Sequence, residues 1–178
     1  MDMNHDFFDD LIRYAQINFK FSILISAESQ TNNIAENNLE EFVYGSHRMN
    51  SEELKLSDEE RDYAPRLYEH TAKYVLVTQV DKVLQEMIGG DRFEHEDDNL
   101  RAASHIIRQL RNAFAHDPFN PRWKIRDERA RNEIFSVKDI IELDTSNLNN
   151  TLLRNRQFGG PIALYRLTEF IREELFNK

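Results

Sequence analysis

The sequence predicts an all-α fold, a helical bundle that carries a small β-hairpin insertion near 122–143. Three observations lead there. Apolar side chains recur at the 3.6-residue helical period along most of the chain. Helix start and stop signals bracket the main windows. A paired β-ribbon is expected in one short region only. With 178 residues, 40% of them hydrophobic, the chain suits a single domain, 1–178, with its own core.

Residues 6–27 place Phe8, Leu11, Ile12, Ala15, Phe19 and Ile23 at helical spacing. Phe19, Phe21, Ile23 and Ile25 also alternate, but the helical pattern covers the longer window. Residues 28–56 are polar and rich in Asn and Glu, and suggest a short helix around 34–43 within a loop. The main helix starts at Ser57, which forms a capping-box pattern with Glu60, and Gly89-Gly90 stops it. Pro65 lies too deep for that start, so a kink or a break is expected there. The acidic run Glu94 to Asp98 surrounds His95 and imitates a metal site. It reads better as a solvated loop whose Asp97 or Asp98 caps the next helix, and no metal or cofactor is expected. That helix covers 98–116. Arg122–Ile125 and Ile134–Val137 are β-prone and read as the two strands of the hairpin. Pro161 suits the first turn of a final helix with Ile162, Leu164, Leu167, Phe170, Ile171 and Leu175 facing inward.

The absence of cysteine excludes disulfides and thiolate metal sites and points to a reducing compartment. The acidic "MDMNHDFFDD" does not read as a signal peptide, and "INFKFSILIS" is too short to span a bilayer. A cytoplasmic protein with no membrane partner is the expectation. The net charge is −9, but residues 101–131 carry eight basic and three acidic side chains. Such a local surplus can hold a phosphate on an acidic protein, because surface fields are screened within about 10 Å.

Wound at about 100° per residue, the 98–116 helix gathers Leu100, Ala103, Ile106, Ile107, Leu110, Ala113 and Phe114 on one face. Arg101, His105, Arg108, Asn112 and His116 form a stripe opposite. Arg111 sits on the shoulder of the apolar arc, where its guanidinium needs cover or a partner. It lies about 140° from His116 on the wheel, so one copy of the helix makes a poor composite site, whereas two copies meeting across a two-fold axis could join Arg111 to His116. Asn112 and His116 as helix C-terminal caps remain the plainer alternative. The stripe residues Arg101, His105 and Arg108, with Arg122 and Lys124 beyond the helix, are the candidate RNA- or phosphate-binding residues.

The run Arg111-Asn112-Ala113-Phe114-Ala115-His116, with a proline stop beyond it, resembles the signature of the HEPN superfamily. That signature is an Arg, a polar residue after it, and a His four to six positions beyond the Arg near a helix end. The hairpin and "IIELDTSNLN" are similar to a plasmid- and bacteria-associated HEPN subgroup. The resemblance implies an HEPN-like bundle, a homodimer through the helix 98–116, and in many members a metal-independent endoribonuclease. It implies that Arg111 binds the scissile phosphate, Asn112 orients it or the imidazole, and His116 moves the proton. Imidazole suits that role because it titrates near neutral pH. The expected products are a 2′,3′-cyclic phosphate and a 5′-hydroxyl. A toxin or phage-defence effector with an antitoxin or other regulatory protein is one setting. A non-catalytic HEPN domain that binds a protein or nucleotide is the alternative. One HEPN subgroup has a Tyr two positions after the His; here that residue is Pro118, so modification at that point is not available.

Overall fold

The computed structural model describes residues 3–31, 41–50, 56–89 and 91–177. Among the described residues four helices carry the fold: α1 (Met3–Thr31), α2 (Asp58–Ile88), α3 (Asp98–Phe114) and α4 (Gly160–Phe176). Two antiparallel ribbons join them, β1 (Glu41–Tyr44) with β2 (His47–Asn50), and β3 (Ile134–Val137) with β4 (Ile141–Asp144). The all-α class with a small hairpin therefore holds. Among the described residues no helix is long and apolar enough to cross a membrane.

α1 packs along α2, α2 against α3, and α4 against α1, while β3 lies on α3. Ile12 and Phe19 of α1, Leu76 and Val80 of α2, Ile106 and Leu110 of α3, and Leu164 and Ile171 of α4 meet in one buried cluster. Polar cross-links sit at its margins. Gln16 Nε2 donates to Thr168 Oγ1 at 3.1 Å, and Tyr68 donates to Asn18 Oδ1 at 2.9 Å.

The capping box at the head of α2 forms as expected: Ser57 Oγ accepts from Glu60 N, and Glu60 Oε2 accepts from Ser57 N at 2.8 Å. Pro65 neither splits nor ends α2. It is buried within one continuous helix, and the packing of Ala72, Leu76, Val77 and Val80 outweighs a penalty of about 3 kcal/mol. The short helix expected at 34–43 is corrected where it overlaps β1, since Glu41–Tyr44 is a strand; 34–40 lies outside the described residues. The signal was the Gly45-Ser46 pair, a two-residue hairpin turn in which Gly45 takes φ 61°.

The second hairpin also differs from expectation. Ile134–Val137 pairs with Ile141–Asp144, not with Arg122–Ile125. The 121–125 segment is instead pinned to 149–157. Trp123 is fully buried and its Nε1 donates to Gln157 Oε1 at 2.9 Å, while Trp123 N and Leu153 N donate to Thr151 O and Pro121 O. In α4, Leu164, Leu167 and Ile171 face inward and Phe170 and Leu175 are half-buried, but Ile162 is 62% exposed. It stands on the outer side of the first turn, opposite the buried Gly160 and Leu164.

Candidate functional site: an arginine cavity beside the end of α3

α3 starts where Asp97 Oδ1 accepts from Leu100 N at 2.9 Å. Its expected apolar face is buried from Leu100 to Phe114. On the opposite stripe two side chains are buried. His105 is 3% exposed, with its ring between Phe93 (centroids 3.9 Å apart) and Phe135 (4.8 Å apart). Asn112 is 6% exposed. The 92–94 turn and β3 cover this side, so twelve of the seventeen residues of α3 are buried within one chain. The stripe expected to meet a second copy is thus partly covered within one chain, with Arg101, Arg108 and Arg111 half-buried and His116 exposed.

Burial, and next the Arg92 charge, push the His105 pKa down to about 4. A neutral ring brings no charge to a phosphate, only one N–H donor, and His105 also packs as a core side chain between Phe93 and Phe135.

Asp81 of α2 organises the site. Its side chain is 3% exposed, and three guanidiniums reach it: Arg92 at 2.8 Å, Arg108 at 3.2 Å and Arg111 at 3.8 Å. Gln85 Nε2 donates to it at 2.7 Å. The need for a partner at Arg111 is thus met inside the chain. One carboxylate answers three guanidiniums and leaves a positive surplus. Burial pulls the Arg92 guanidinium below its ordinary range, with Asp81 acting against that shift. Arg92 also donates to Ser104 O at 3.0 Å, which fixes the 92–94 turn on α3.

An open cavity of about 560 Å³ lies against this cluster, and Arg92, Arg108, Arg111, Asn112 and Arg126 line it. Arg111 reaches Asn112 Oδ1 at a long 3.4 Å. Arg126 Nη2 is 2.8 Å from His116 Nε2. A guanidinium only donates, so this ring nitrogen accepts. Arg126 therefore links the exposed His116 to the cavity that holds Arg111. Asp91 and Asp127 also line the cavity, but Arg129 bridges them and lies 4.1 Å over the Phe93 ring. That brace holds both aspartate pKa values below the ordinary range and closes the 126–130 segment over the 92–94 turn.

The structure gathers Arg108, Arg111 and Asn112 and ties His116 to their rim. His105 lines the cavity as well, whereas Arg101, Arg122 and Lys124 do not. Arg101 lies outside this cavity, paired with Asp98 and donating to His95 O at 2.7 Å. Arg122 donates to Asn150 O at 3.1 Å, and neither it nor Lys124 lines the cavity. Asp81, Arg92 and Arg126 are the residues missed. Only Asp81 left a signal: it lies four residues after Val77 and three before Leu84, a carboxylate on an apolar helix face. In the acidic loop, His95 Nδ1 accepts from Asp97 N, and no group of three or more metal-ligating side chains occurs among the described residues.

No family model, curated protein or solved structure matches this chain.

Proposed function

We propose that this protein is an endoribonuclease of HEPN type that holds an RNA phosphodiester in the arginine cavity and cleaves it with His116, without a metal ion. One observation carries the reading: four guanidiniums, from Arg92, Arg108, Arg111 and Arg126, converge on one open cavity whose buried counter-ion is the single Asp81. Planar guanidiniums match phosphate oxygens in pairs and stabilise the charge that grows on a pentacoordinate phosphorus. Arg108 and Arg111, each more than a third exposed, present to the phosphate. Arg92 is the buried support behind them. His116 takes the proton from the 2′-hydroxyl, O2′ bonds to phosphorus, the P–O5′ bond breaks, and the proton ends on O5′.

The test is labelled RNA in EDTA with wild type, Arg111→Ala and His116→Ala. Wild type yields 2′,3′-cyclic phosphate ends, and each variant is slower by about 10²-fold or more. Cleavage that survives both substitutions refutes the mechanism. The Arg126 contact at His116 Nε2 favours a second reading, a non-catalytic domain that binds a nucleotide or phosphorylated partner, because it occupies the nitrogen a base must free. Phosphate binding without cleavage selects that reading.

A further inference from the structure

α1 is apolar on two faces. Ile12, Ala15 and Phe19 enter the core. On the other side Phe7, Tyr14, Ile17, Phe21 and Leu24 are 54, 64, 54, 56 and 65% exposed. Their spacing is a heptad seam: 7, 14 and 21 recur every seven residues, as do 17 and 24, with Asp10 at the remaining seam position. Isolated exposed apolar residues are ordinary, but a row of five in coiled-coil register is not.

The area decides what such a row can do. Fully exposed side chains of this size present roughly 200 Å² each, so the five leave roughly 500 Å² of apolar surface in water. One side of a standard interface buries about 800 Å², of which about 60% is apolar. The stripe supplies that amount alone. Tyr68, bonded to Asn18 and in ring contact with Phe21, brings the start of α2 alongside, where Tyr63 and Leu67 are also exposed.

We propose that this stripe of α1 seats the same stripe of a second copy, antiparallel across a two-fold axis between Tyr14 and Ile17. A heptad seam is its own complement, which a two-fold interface requires. The pairing sets Phe7 against Leu24 of the second copy. It also brings Asp10 level with Lys20 and Phe21 of that copy, so the carboxylate that interrupts the seam meets an ammonium. Lys20 stands at the edge of the stripe; in the single chain its ammonium rests 4.8 Å over the Tyr165 ring, and the pairing turns it toward Asp10 of the second copy. None of the five residues lines the arginine cavity, so the dimer and the nuclease reading stand or fall separately.

Light scattering on the purified chain tests it first, and the expected mass is twice the 21.2 kDa of one chain. Ile17→Lys and Phe21→Glu, both at exposed positions, are expected to give monomers with unchanged helical circular dichroism and a melting temperature that no longer depends on protein concentration. The chain has no cysteine, so Phe7→Cys and Leu24→Cys report the orientation. A disulfide dimer is expected only when the two variants are mixed, because like positions lie about 26 Å apart in the antiparallel pair. A monomeric wild type, a dimer that survives Ile17→Lys, or a disulfide formed by Phe7→Cys alone overturns the proposal.

Discussion

Asp81 shares its helix face with Val77 and Leu84, and the ionic cluster exists because a buried carboxylate needs cations around it. Removing it strands Arg92, whose side chain is only 14% exposed. Asp81→Ala is therefore expected to lose about 3–5 kcal/mol in urea denaturation, far more than Arg101→Ala, whose partner Asp98 is open to solvent. His105 makes a separate prediction. Its folded pKa, about 4, lies below the unfolded value of 6.5, so the unfolded chain binds the extra proton between those values. Stability is full above 6.5 and falls by up to about 3 kcal/mol as pH drops to 4. His105→Phe keeps the stack with Phe93 and Phe135 and should flatten that slope in urea titrations at successive pH values. Asp91 and Asp127, held low chiefly by Arg129, give up their contribution only below the ordinary aspartate value, so the two windows separate.

At the scale of elements, local signals were readable and distant partners were not. Ser57 and Glu60 mark the head of α2 because the capping box is a contact between residues three apart. Ser57→Ala should cost about 1 kcal/mol, seen as a lower melting temperature. Pro65 does not break α2, because the packing that keeps the helix continuous comes from α1 and α3. Arg122–Ile125 misleads: it looks like a strand, but its partners lie at 149–157 and nothing local names them. The site divides along this line. Arg108, Arg111 and Asn112 sit within two turns of one helix and were legible together. Arg92 and Arg126 reach the cavity from two loops that only the fold brings close. The wheel gave the apolar face of α3 but not the burial of His105 on the other, because the covering Phe93 and Phe135 belong to other elements.

The whole molecule is acidic, with a net charge of −9, and for the proposed ribonuclease this shapes how RNA would be met. Long-range attraction is absent, so binding rests on the few guanidiniums of the cavity. For one or two phosphates engaged, the logarithm of affinity should fall against the logarithm of salt with a slope of about −1, shallow for an RNA-binding protein. The central claim is that the phosphate site is this cavity and not the basic stretch as a whole. It is tested most directly by the affinity of a short, 2′-O-methylated RNA that binds without being cut. Arg108→Ala and Arg111→Ala are each expected to weaken binding about tenfold or more, while Arg122→Ala and Lys124→Ala, outside the cavity, leave it unchanged. Equal losses at all four positions, or no loss at Arg108 and Arg111, would contradict it.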